Sequence, residues 1–80
     1  GNKRFIVYNG QEQKRYDGVD SPIEINGKLV YAAKEGNKHF IVYNGQEQKK
    51  YDLVYPPIVI NNKLAYMAKE GDQWFIVKEK

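Results

Sequence analysis

Eighty residues carrying a net charge of +3 make one small globular unit at most, because a chain this short buries only about 60% of the surface its unfolded form exposes. With 41% hydrophobic, 14% aromatic and 29% charged residues it belongs among folded chains, and the lack of cysteine excludes a disulfide framework and a cysteine-based zinc site. Ser21 is the one serine, His39 the one histidine and threonine is missing, so a Ser-His-Asp or Cys-His triad has almost nothing to be built from. No apolar run approaches the roughly 18 residues of a membrane span, and no basic-then-apolar leader opens the sequence as given.

The chain repeats itself. Residues 1–35 and 36–70 differ at nine positions only, and residues 71–80 begin a third unit. Taken in chain order, residues 5–8 are apolar on both faces, as in a strand covered from two sides, and the pattern returns at 40–43 and 75–77. Asn9-Gly10 follows, a dipeptide suited to a type I′ hairpin turn with positive φ at both central residues. Asn26-Gly27 and Asn44-Gly45 repeat it, with Asn61-Asn62 in the matching place of the second unit. Residues 11–17 and 46–52 are nearly all polar, which predicts a solvated outer edge strand. Residues 22–26 and 57–61 are short strands entered by proline. Residues 29–34 alternate, with Leu29, Tyr31 and Ala33 on one face and Val30 and Ala32 on the other, and 64–69 repeat the arrangement. Gly36-Asn37 and Gly71-Asp72 mark the junctions between units.

Short strands between closely spaced turns leave no room for a helix. The expected fold is all-β, about nine antiparallel strands forming four-stranded, propeller-like blades, with residues 21–53 as a complete blade and a monomeric continuous β-meander or closed barrel as the alternative. One module spans 1–80, as repeat 1 (1–35), repeat 2 (36–70) and a partial repeat 3 (71–80). The strands of residues 5–8 and 75–77 compete for one place in that arrangement.

The segment from Tyr16 and Asp17 through Val19, Pro22, Lys28, Tyr31 and Ala33, followed by Phe-Ile-Val-Tyr-Asn-Gly, resembles the WD-like repeats of TolB-type β-propellers. The likeness covers both full units. It departs in length, at 35 residues against about 40–45, and in the turn, where the family's Ser-Pro-Asp-Gly has shrunk to Asn26-Gly27. Bacterial tryptophan-glycine repeats, which share the Lys-Tyr-Asp segment, are the second resemblance. Either implies a repeat scaffold, and neither motif specifies an activity. Two units and a stub read equally as a trimmed or engineered propeller fragment and as a whole protein.

Candidate sites weigh against chemistry. His39 stands where the other units have Arg4 and Trp74, which suits a surface strand position rather than a metal ligand. Asp17 and Asp20 lack the oxygen array of a calcium loop. Tyr16-Asp17 and Tyr51-Asp52 read as structural turns whose carboxylates accept backbone N–H groups. Glu12 with Asp17, and Glu47 with Asp52, lie on the polar strand, where water is expected to leave them untuned for acid–base work. Lys14-Arg15 and Lys49-Lys50 form a basic stripe beside Tyr16, Tyr43, Tyr51 and Trp74, the raw material of a sugar or single-stranded nucleic-acid site. Glu12 and Glu47 interleave with it, so a solvated strand edge is the stronger reading.

No catalytic, cofactor-binding or metal-binding residue is expected, and no cofactor. The predicted function is a non-catalytic scaffold or protein-interaction module that assembles with copies of itself, with ligand binding on the Tyr/Lys-rich face as the alternative. The expected partners are further copies of the chain, then other proteins, with no membrane and nucleic acid as the weaker choice. The residues expected to hold copies together are Phe5, Tyr8, Phe40, Tyr43, Trp74 and Phe75.

Overall fold

The turns fix the course of the chain. In the computed structural model, which describes residues 2–80, Asn9, Asn26, Asn44 and Asn61 take φ values of 51–52°, and the residues after them, Gly10, Gly27, Gly45 and Asn62, are also positive. Two left-handed residues in succession give the turn twist that matches paired strands. Gly36 and Gly71 carry the positive φ alone, at 62° and 59°, in the II′ manner.

The described residues form ten strands and no helix, and these six turns make the hairpin connections among them. Strands β1 (Val7–Tyr8) and β2 (Gln11–Glu12) form a two-stranded sheet. Strands β3 (Gly18–Ile25), β4 (Lys28–Glu35), β5 (Lys38–Tyr43) and β6 (Gln46–Glu47) make a four-stranded antiparallel sheet in chain order. In the third sheet β9 (Lys63–Glu70) pairs with β10 (Gln73–Lys78) on one side and with β7 (Leu53–Val54) and β8 (Ile58–Ile60) on the other.

The all-β expectation holds, and the nine strands become ten for a stereochemical reason. In the second sheet β3 runs unbroken past Pro22 by way of an irregularity between Asp20 and Ile23, where Ser21 takes a φ of 57°. Pro56 occupies the corresponding place in the next unit, and its ring holds φ near about −65°. Pairing with β9 therefore ends where Tyr55 N–H donates to Met67 O at 2.8 Å and resumes at Ile58.

The polar edge strands pair further than their two-residue cores. Gln48 N–H donates to Ile41 O, and Tyr51 and His39 exchange backbone bonds, each at 2.8 Å. Gln13 with Ile6, and Tyr16 with Arg4, repeat this in the first hairpin. Between those anchor points the polar strand holds one more residue than its partner, a β-bulge. The bulge turns Lys50 over the Phe40 ring at 5.2 Å and Arg15 over the Phe5 ring at 4.1 Å.

The three sheets stack in chain order, and the alternation along β4 and β5 builds the two layers between them. Leu29, Tyr31, Ala33, Phe40 and Val42 meet Tyr16, with Ile6 and Tyr8 of the first hairpin packed against them. Val30, Ala32 and Ile41 point the other way, onto Val54, Leu64, Tyr66 and Ala68 of the third sheet. Only the central sheet is covered on both faces, so Phe40, Ile41 and Val42 are all buried. The cover on both faces that all three Phe-Ile-Val segments call for is met at the central one alone. Val7 and Ile76 lie open because each outer sheet has one neighbour.

Candidate functional site

The repeat makes exposure informative. Ile60, Met67 and Ile76 in the third sheet correspond to Ile25, Ala32 and Ile41 in the central one. The central residues are sealed against the third sheet, with Ile41 at 0% and Ile25 at 2% exposure. Their counterparts stand open, Ile76 at 69% and Ile60 at 45%. Ile58 and Met67 are exposed beside them. A contiguous apolar sheet face left in water is a mark of an interaction surface. At the opposite end of the stack, Val7 presents the bare face of the first hairpin.

Of the residues singled out from sequence, Trp74 and Phe75 are exposed on β10, with Trp74 edge-on to Tyr55 at 5.4 Å and Phe75 beside Tyr51 at 6.1 Å. Phe5 is half-buried beneath Arg15, and Tyr8 is half-buried with its hydroxyl on Glu24. Tyr43 is half-buried and donates to Glu79 at 3.0 Å. Phe40 is a correction: its ring is fully buried inside the chain, edge-on to Tyr16 at 5.4 Å, and stands on no open face. Ile58, Ile60, Met67 and Ile76 were missed, although aligning the third sheet on the second would have found them.

The acidic groups are structural staples. Asp17 Oδ2 accepts the backbone N–H of Gly36 at 2.7 Å while Oδ1 takes Lys3 Nζ at 2.7 Å. One repeat on, Asp52 holds Gly71 N–H at 2.8 Å and Lys38 at 3.1 Å. The expected carboxylate-to-backbone bonds thus exist, but they reach to the next glycine turn rather than closing a local one. That backbone bond first, and the lysine second, hold both carboxyls below their ordinary range. Glu47 is also held low, by the Tyr16 hydroxyl at 2.7 Å and then Lys14 at 3.1 Å. Water therefore does not leave Asp17, Glu47 and Asp52 untuned; their partners make them firmer anions, which suits ion pairing and not proton transfer at neutral pH.

The basic stripe is folded back on the protein's own aromatic rings. Lys14 lies over Tyr16 at 5.4 Å, Lys49 over Tyr51 at 5.3 Å and Lys69 over Trp74 at 5.5 Å. Arg15 also meets Glu12 at 3.2 Å. His39 is half-buried and lines an open hollow with Arg4, Asp20 and Lys34, a mixture of charges whose lining brings no hydroxyl or thiol to the imidazole. Among the described residues no three His, Asp or Glu side chains gather closely enough to hold a metal ion.

Comparison of the chain with family models, curated proteins and solved structures finds no match in any of the three.

Proposed function

We propose that the chain is a non-catalytic, propeller-like scaffold module that works by associating with further copies of itself through the outer faces of its sheet stack. One observation carries the reading. The open face of the third sheet repeats, position for position, the face by which the central sheet is buried against its neighbour. Ile25, Ala32 and Ile41 pack within the chain on Leu64, Tyr66 and Ala68, and the equivalent layer of a second copy, Leu29, Tyr31 and Ala33, takes Ile60, Met67 and Ile76 once Ile6 and Tyr8 of its first hairpin give up their place there. The resemblance to TolB-type repeats supports the same reading, since blades of that kind stack around a ring.

Magnitudes say what else is needed. Burying each of these side chains gains roughly 1.5–3 kcal/mol, whereas association costs about 4–15 kcal/mol. Face burial alone sits near break-even, so the unpaired strand edges must contribute. Ligand binding on the Tyr/Lys-rich side has less support, because those cations already lie over the protein's own rings.

Sedimentation velocity across a dilution series tests the reading. The wild type sediments as a multi-copy species, and Ile76→Asp, at a position already open in the single chain, sediments as a folded monomer. A wild type that stays monomeric at every concentration overturns it.

A further inference from the structure

We infer that copies join by exchanging a strand: β10 of one copy takes the place of β1 against residues 11–16 of the next. This rests on the self-association reading and states how that association is made.

The repeat sets up the exchange. Strand β10 corresponds to β5, one unit earlier. Strand β5 is paired on both edges, by β4 and by the 46–51 segment. Strand β10 is paired with β9 on one edge and with no described strand on the other. The chain carries a segment that fits this edge. Residues 11–16, Gln-Glu-Gln-Lys-Arg-Tyr, differ from 46–51 only in having Arg15 for Lys50. That segment is paired with Phe5-Ile6-Val7, and β10 offers the same triplet as Phe75-Ile76-Val77. The register of β5 on 46–51 places Val77 opposite Glu12 and Trp74 opposite Tyr16.

Two unfilled places on the third sheet match what the incoming segment brings. Around the central sheet, the Tyr16 hydroxyl donates to Glu47 and Lys50 covers Phe40. Tyr51 and Phe75 repeat Tyr16 and Phe40, yet among the described residues no carboxylate meets the Tyr51 hydroxyl and no cation covers Phe75. Glu12 and Arg15, the counterparts of Glu47 and Lys50, arrive on residues 11–16.

The balance between the strands decides which one leaves. Strand β10 is opposed to β9 at six positions, and Glu79 behind it accepts the Leu64 N–H at 2.9 Å. Strand β1 is paired only in a two-stranded hairpin, a unit marginal in water, and Ile6 and Tyr8 with the Tyr8 bond to Glu24 are what dock it on the central sheet. Its Lys3 pairs are exposed and contribute little. The ladder lost on β1 is regained on β10, so pairing is conserved while the bare faces are covered. The contact is head-to-tail, and such contacts close into rings when the rotation allows. Each copy then supplies two four-stranded sheets, and a ring of about four to eight blades takes about two to four copies.

Disulfide locks in the cysteine-free 80-residue chain test the exchange. Val7→Cys with Glu12→Cys ties β1 to its own partner, whereas Lys69→Cys with Trp74→Cys ties β9 to β10. Oxidised, the first lock is expected to sediment as a monomer with an unchanged far-UV spectrum and to reassemble on reduction, while the second assembles like the wild type. Glu12→Cys with Val77→Cys is expected to give covalent links between copies. If the oxidised first lock assembles like the wild type, the exchange is wrong and self-association stands. A wild type that never leaves the monomer removes both.

Discussion

The Tyr16 hydroxyl donates to the Glu47 carboxylate at 2.7 Å, tying the first hairpin to the far edge of the central sheet. Burial, then this bond, pushes the Tyr16 hydroxyl pKa up, and the same bond is the main reason that Glu47 is held low. Tyr16→Phe keeps the ring in the core and removes one bond to a charged acceptor, a loss of about 1.5–3 kcal/mol in urea unfolding. NMR titration of Glu47 in that variant should show its carboxyl moving back up towards the ordinary range.

Asp17 and Asp52 contribute to the acid limit, as Glu47 and Glu79, also held low, do. Their folded-state pKa values lie below the unfolded ones, so the stability they contribute is complete above roughly pH 4 and is lost as pH falls through the folded values. Asp17→Asn with Asp52→Asn keeps an acceptor for the Gly36 and Gly71 N–H groups but cannot titrate. Melting temperature followed from neutral pH into acid should fall less steeply for this double variant than for the wild type. Equal slopes would show that these two carboxyls do not govern the acid transition.

Tyr66 acts at the other end of the scale. Burial is the main cause of its pKa being pushed up to about 12, so the neutral hydroxyl belongs to the fold and the phenolate to the unfolded chain. Its contribution is complete below an unfolded pKa of about 10 and is lost as pH rises through about 12. Tyr66→Phe should unfold at higher pH than the wild type, as followed by far-UV circular dichroism.

The two Phe-Ile-Val segments make opposite use of one sequence. Phe40→Ala opens a hole in a fully buried layer and should cost about 3–5 kcal/mol. For a domain of this size that is a large part of about 4–12 kcal/mol of total stability. Phe75→Ala, at an exposed ring, should cost clearly less in dilute single chains. Urea melts of both variants at low concentration check the contrast.

Much of the fold was legible because its signals are local. The Asn-Gly turns need positive φ and take it, and the two-residue alternation of Leu29 to Ala33 assigns each side chain to a layer. What escaped depends on neighbours. The split between β7 and β8 arises because Pro56 cannot adopt the backbone that Ser21 adopts, a comparison the repeat allowed but the Pro22 and Pro57 signals obscured. The burial of Phe40 follows from the two sheets that flank its segment, which no strand pattern encodes. The Asp17 and Asp52 bonds were foreseen as carboxylate-to-backbone bonds, but their reach to Gly36 and Gly71 is a property of the stack.

Self-association through the sheet faces is the central claim, and native mass spectrometry of the wild-type chain tests it most directly. The account predicts a discrete species of about two to four copies that dissociates on dilution and is absent from Ile76→Asp. A single mass of 9.3 kDa at every concentration would contradict it.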